Sequence, residues 1–415
     1  LQVAVSVDGS VETRMTLSST LVLIGRTSRL ANCIRRRATG SRNGRLTTSS
    51  STSPSRNPPI HPSESNMKLL DTPTMYHEQL RAPLLDRSLS SGHPSYKRQQ
   101  QPRRPVQLNA DKFVEVIKNI DTFIFDADGV LWLGDDALPG SSRTVDFLLQ
   151  NKKRVIVLTN NATKSRALYA KKLAKLGFPE QLNKDTLVNP AAVVAEELAR
   201  AGLKQSGKKV YMIGAQGVRD ELDEVGVEYF GHGPEPVDHS DGSAFMFDIA
   251  LDVKPEDVGA VVVGYEKHFN YHKLMKAANY LQEPDCLFVA TNEDETCPGP
   301  NPNIVTPDAG PLVAAVKVAS GRDPLTVGKP NSPAFEYICR RWKIDPAKTM
   351  MVGDRTNTDV KFGRSHGLKT LLVLSGCHQL EDVDENIAEG HNDMVPDFYA
   401  SSLGALSKPK SDVYY

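Results

Sequence analysis

Asp126 and Asp128 stand one residue apart, directly after the apolar run Thr122-Phe123-Ile124-Phe125 and directly before Gly129. The run reads as a strand buried on both faces. Unpaired carboxylates at the end of such a strand are costly to desolvate. Two acids projecting to one side there point to a metal site or an acid/base pair, with a plain Asp-Gly turn as the alternative for this tripeptide alone. Three further apolar runs end in unusual polar residues. Val155–Leu158 leads into Thr159-Asn160-Asn161, Leu325–Val327 into Gly328-Lys329-Pro330, and Thr349–Val352 into Gly353-Asp354-Arg355.

If those four ends converge, Asp126, Asp128 and Asp354 make an all-oxygen set suited to a hard divalent cation. Magnesium is the expected ion, since a few carboxylates, waters and a substrate phosphate oxygen commonly hold it. Thr159 and Asn160 offer a hydroxyl and an amide, neutral donors that can hold a phosphoryl oxygen without competing for the metal. Lys329 adds a cation on a short loop, where Gly328 permits a tight turn and Pro330 restricts Lys329 to an extended backbone. The matching chemistry is phosphoryl transfer to a carboxylate, then hydrolysis of the aspartyl-phosphate. Phosphomonoester hydrolysis needs accelerations up to about 10²¹, so metal, lysine and a second acid for the leaving oxygen are all called for.

The elements that must position these groups alternate from Asn109 onward. Short β-branched or aromatic runs recur at Thr122–Phe125, Val155–Thr159, Lys209–Ile213, Ala260–Gly264, Leu287–Thr291, Leu325–Val327, Thr349–Val352 and Thr370–Leu374. Amphipathic segments separate them, among them Ser165–Leu176, Pro190–Ala201, Tyr271–Leu281 and Pro311–Ser320. Such alternation implies an α/β protein with a mostly parallel sheet, helices on both faces, and ligands beyond the C-terminal strand ends.

Bulk properties exclude several classes. The 415 residues carry 50 Lys plus Arg against 50 Asp plus Glu, a formal net charge of zero, which argues against a dedicated nucleic-acid binder. No apolar run reaches the roughly 18–20 residues of a membrane helix. Five scattered cysteines (Cys33, Cys286, Cys297, Cys339, Cys377) show no C-x-x-C spacing, and a reducing, cytoplasmic setting fits them. Residues 1–105 differ from the rest: rich in Ser, Thr, Arg and Pro, with no acidic residue between Glu12 and Glu64. They are expected to be disordered and without catalytic role. An organelle transit peptide, which would make the protein mitochondrial, and a non-native extension both fit this composition.

The four strand ends, in this order, resemble the motifs of the haloacid dehalogenase-like hydrolase superfamily. Asp126-Ala-Asp128-Gly129-Val130 looks like the first motif, Leu158-Thr159-Asn160-Asn161 the second, Gly328-Lys329-Pro330 the third, and Gly353-Asp354-Arg355-Thr356-Asn357-Thr358-Asp359 the fourth. Val130-Leu131-Trp132, Gly264-Tyr265-Glu266-Lys267-His268-Phe269 and Leu287-Phe288-Val289-Ala290-Thr291-Asn292 are similar to the phosphoglycolate phosphatase, pyridoxal phosphatase and 4-nitrophenylphosphatase branch. The resemblance implies a Rossmann-like parallel-sheet core, 106–202 with 309–406, and a large α/β cap at 203–308, inserted between the second and third motifs. Residues 407–415 form a tail.

It also implies roles: Asp126 as nucleophile and Asp128 as general acid/base. Magnesium would sit on Asp126, the backbone carbonyl of Asp128, and Asp354, with Asp359 supporting them from behind. Thr159, Asn160 and Lys329 would hold phosphate. The expected substrate is a small phosphorylated metabolite, 2-phosphoglycolate first and pyridoxal phosphate second, with glycerol phosphate and 4-nitrophenyl phosphate as alternatives. Neither nucleic acid nor membrane is an expected partner, and a homodimer through the cap is. One stretch departs from the branch: Glu293-Asp294-Glu295-Thr296-Cys297-Pro298 is acidic and runs into a proline-rich loop. Pointing inward, it would disfavour strongly anionic leaving groups.

Overall fold

The computed structural model describes residues 104–235, 250–297 and 303–407. The leader through residue 103, residues 298–302 of the proline-rich loop and the tail from 408 lie outside the described residues, so the expectations placed on them do too. Within the described residues, seven parallel strands make the core sheet. Their order is Val106–Gln107, Phe398–Ala400, Lys369–Val373, Thr349–Gly353, Thr122–Phe125, Arg154–Leu158, Leu187–Val188.

The central strand Thr122–Phe125 is buried along its whole length. Its side chains alternate between two apolar layers: Ile124 packs with Ile156, Met351 and Val194, and Phe125 with Val157, Val352 and Trp132. Phe125 is in register with Val352 on one side and Val157 on the other, and Asp126 N donates to Val352 O at 2.8 Å. That register sets three strand ends nearly level, so Asp126, Thr159 and Asp354 leave the sheet side by side.

A second sheet has five parallel strands, in the order Leu325–Thr326, Leu287–Ala290, Val258–Val263, Lys209–Ile213, Tyr229–Phe230. All five fall between the second and third motifs, as expected of an inserted α/β unit. The sheet nonetheless runs past Asp308, where the sequence reading closes that unit. Helix Ala309–Ser320 buries Val313 and Val316 against Tyr211, Val261, Ala277 and Tyr280, so its apolar face belongs to the second sheet and carries Leu325–Thr326 there with it. Helix Pro190–Arg200 starts on Asn189, whose side chain accepts from Ala192 N, with Pro190 in its first turn. It joins Val210 and Met212 of the second sheet to Ile124 and Ile156 of the first in one apolar cluster.

Candidate active site

The four strand ends converge. Lys329 is buried and donates from Nζ to Asp126 Oδ1 at 2.6 Å, to Asp359 Oδ1 at 2.7 Å and to Leu158 O at 3.0 Å. Carboxylate oxygens of Asp126, Asp354 and Asp359 lie within 4.8 Å of one another, the cluster of potential metal ligands found among the described residues. Asp354 Oδ2 accepts from Cys377 N at 2.7 Å, and Asp359 Oδ2 accepts from Arg355 N at 3.0 Å. A π-helical turn, Thr356–Val360, brings Asp359 round to face Lys329. Gly129 has φ +85°, and a Cβ there would run into the Asp354 carboxylate. The turn after Asp128 therefore needs both the left-handed backbone and the bare Cα of glycine.

The electrostatics favour a cation. Three carboxylates face one ammonium, a buried surplus of negative charge. Burial pushes the Asp126 carboxyl well above its ordinary range, with Asp359 and Asp354 adding to the rise against Lys329. Asp354 is pushed up to about 7 by burial and then by Asp359. Burial works against the charge on Lys329, but Asp126 and Asp359 outweigh it and raise its pKa. An all-oxygen, over-negative cluster is the donor set that magnesium takes. Asp128 stands apart from it: its Oδ1 accepts from Trp132 Nε1 at 2.8 Å, and burial raises its pKa. A carboxyl inclined to hold a proton suits a general acid.

The chain matches the family model for haloacid dehalogenase-like hydrolases over residues 123–228, and a second such model over 326–406. A rat glycerol-3-phosphate phosphatase is 39% identical over 309 residues, 73% of this chain and 95% of that one. The chain belongs to the haloacid dehalogenase-like hydrolase family. An Arabidopsis thaliana chloroplastic phosphoglycolate phosphatase is 37% identical over 323 residues, covering 75% of this chain and 83% of its own. The chain spans about half of another relative, a Caenorhabditis elegans NipSnap protein: 44% identity over 265 residues, 63% of this chain and 49% of that protein. Among solved structures, a Mycobacterium tuberculosis glycerol phosphate phosphatase in complex with magnesium aligns with TM-score 0.56 and 25% identity over 71% of this chain and 78% of that one. This haloacid dehalogenase-like hydrolase is a phosphoric monoester hydrolase. Among its described residues no helix is long and apolar enough to cross a membrane.

Of the residues expected at the site, the fold brings Lys329 into contact with Asp126 and Asp359, sets an Asp354 carboxylate oxygen within 4.8 Å of theirs, and holds Leu158 O, one residue before Thr159, on the Lys329 ammonium. One side chain is used differently from the expectation. The Asn160 amide is not free for phosphate: Nδ2 donates to Lys329 O at 3.0 Å and Asp294 Oδ2 at 3.0 Å, and Oδ1 accepts from Lys329 N at 2.8 Å. Asn160 can offer phosphate only its backbone N–H, which has no partner among the described residues. Asp359 lies in the same acidic cluster with both oxygens engaged, Oδ1 by Lys329 and Oδ2 by Arg355 N, and the Asp128 carboxylate lies outside that cluster. Thr159 Oγ1 accepts from Asn161 N at 3.1 Å, which leaves its hydroxyl hydrogen for a phosphoryl oxygen.

Sequence reasoning passed over Trp132 as a partner of Asp128, although four residues is within reach of a turn. It also passed over Lys172, whose Nζ lies 4.4 Å from the centre of the Trp132 ring. The buried pair Arg166–Glu221 left no signal at a separation of 55 residues; Arg166 donates from Nη2 to Glu221 Oε2 at 2.6 Å and from its backbone N to Oε1 at 2.7 Å. In the acidic stretch Glu293 and Glu295 are exposed, and only Asp294 turns inward.

Proposed function

We propose that the chain is a magnesium-dependent phosphatase of a small phosphomonoester, working through an aspartyl-phosphate on Asp126. The observation that carries this reading is the Lys329 ammonium seated between Asp126 and Asp359, with Asp354 alongside. An Asp126 oxygen attacks phosphorus, the bond from phosphorus to the leaving oxygen breaks, and Asp128 supplies the proton that oxygen needs. Water then attacks the aspartyl-phosphate, Asp128 takes the water's proton, and inorganic phosphate leaves with Asp126 restored. Lys329 offsets the charge carried by the nucleophile and phosphoryl group. Asp126, Asp354 and the Asp128 carbonyl would hold magnesium, which when bound neutralises phosphoryl charge and orients the group for in-line attack.

For the substrate, 2-phosphoglycolate is the first choice, supported by the resemblance to the plant phosphoglycolate phosphatase. Glycerol phosphate is the second reading, favoured by similarity to the rat enzyme across 95% of its length. Pyridoxal phosphate follows as the third. Phosphate release from the three compounds, compared as kcat/KM with magnesium present, tests the ranking. The mechanism fails if Asp126→Asn turns over like the wild type, and the first-choice substrate falls if phosphoglycolate ranks below either of the others.

A further inference from the structure

We infer that Asp294, outside all four motifs, is a positioning residue that fixes Lys329 through Asn160. The inference rests on the role given to Lys329 above. Asp294 Oδ2 accepts two amide N–H groups, one from Asn160 at 3.0 Å and one from Asn292 at 3.0 Å. The other Asn160 N–H donates to Lys329 O, and its Oδ1 accepts from Lys329 N, so this one amide grips both sides of the Lys329 backbone. Such a grip needs a defined amide orientation. A carboxylate facing Nδ2 supplies it, because the flipped amide would set its carbonyl oxygen against Asp294 and against Lys329 O.

The loop bearing Lys329 has no slack beside this clamp. A Cβ on Gly328 would lie 2.6 Å from Thr291 O, 2.9 Å from Asn160 Oδ1 and 3.1 Å from Asn292 Cβ. Thr291 hydrogen-bonds Asn292 in turn, from Oγ1 to Oδ1 at 2.8 Å. Lys329 thus threads a slot whose walls are the second motif on one side and the exit of strand Leu287–Ala290 on the other. Asp294 joins the two walls, so the segment leaving the second sheet sets where the Lys329 ammonium stands.

The test is a double-mutant cycle in the full chain, with 4-nitrophenyl phosphate as substrate and saturating magnesium. Asp294→Ala is expected to lower kcat about 10- to 100-fold, the usual range for loss of a group that orients a reacting residue, with KM little changed. Asp294→Asn keeps an acceptor oxygen and should recover part of that loss, which a general loss of folding would not allow. Asp294→Ala combined with Asn160→Ala should be no worse than Asn160→Ala alone. Wild-type kcat in Asp294→Ala, a loss confined to KM, or multiplying effects in the double variant would each overturn the inference. A wild-type chain that releases no phosphate would instead bring down the aspartyl-phosphate reading, and this inference with it.

Discussion

Magnesium binding should depend steeply on pH, because the ion must displace protons that burial has placed on its ligands. Asp354 is pushed up to about 7 from an ordinary 3.8 by burial and by Asp359, and burial raises Asp126 as well. A cation binds only the deprotonated carboxylates. With a pKa of about 7, Asp354 is roughly 1% ionised at pH 5 and roughly 90% at pH 8. The apparent Kd for magnesium should therefore weaken about tenfold per pH unit below 7, and about 100-fold overall between pH 8 and pH 5. At saturating ion that corresponds to roughly 2.7 kcal/mol less stabilisation at the lower pH. The raised Asp126 carboxyl acts in the same direction.

The metal-free chain should show the opposite slope. Between about pH 4 and pH 7 the folded chain holds protons on these carboxyls that the unfolded chain has lost. Stability without magnesium therefore falls as pH rises through that window. Calorimetric titration with magnesium chloride from pH 5 to pH 8, in buffers of unlike ionisation enthalpy, measures both Kd and protons released; thermal scans with and without the ion measure the stability effect. A Kd that stays constant from pH 5 to pH 7, with no proton release, would refute the reasoning.

Lys329→Met removes the buried cation between Asp126 and Asp359, and urea unfolding at neutral pH should show a loss of about 3–5 kcal/mol, together with loss of phosphate release. Trp132→Phe keeps the ring that stacks on Tyr169 but removes the N–H donated to Asp128; kcat should fall about tenfold, the equivalent of one charge-assisted hydrogen bond of roughly 1.5 kcal/mol. Glu221→Gln leaves the buried Arg166 guanidinium with only the half-exposed Glu224 at 3.3 Å as a charged partner, and urea unfolding should report a loss of about 3 kcal/mol.

The core of the site was legible because Asp126, Lys329 and Asp354 each follow the end of an apolar run. Apolar runs are visible in sequence, polar residues at their ends stand out against them, and the core sheet's parallel strands present Asp126, Thr159 and Asp354 on one side, whereas Lys329 reaches them from the end of a strand of the second sheet. Asp126, Lys329 and Asp354 were readable for that reason. The clamp on Lys329 was not. Asn160 looks the same in sequence whether its amide faces a substrate or a backbone, and only the position of Lys329, 169 residues away, decides which. Asp294 sat in a stretch legible only as acidic, with nothing to separate it from Glu293 and Glu295.

The end of the second sheet was hidden for a related reason. The apolar stripe of Ala309–Ser320 shows that the helix must pack on something, but which of two sheets receives it depends on the path of the chain. Sequence by itself determined the α/β class and the four polar strand ends, since both follow from residue type and short-range periodicity, and the order of those ends pointed to the family. Tertiary structure alone decided which carboxylates gather around Lys329, which amide is taken up by the Lys329 backbone and that the Asp128 carboxylate lies outside the cluster. The Lys329 bonds that organise the cluster join residues 30 to 203 positions apart, which only folding brings within 3 Å.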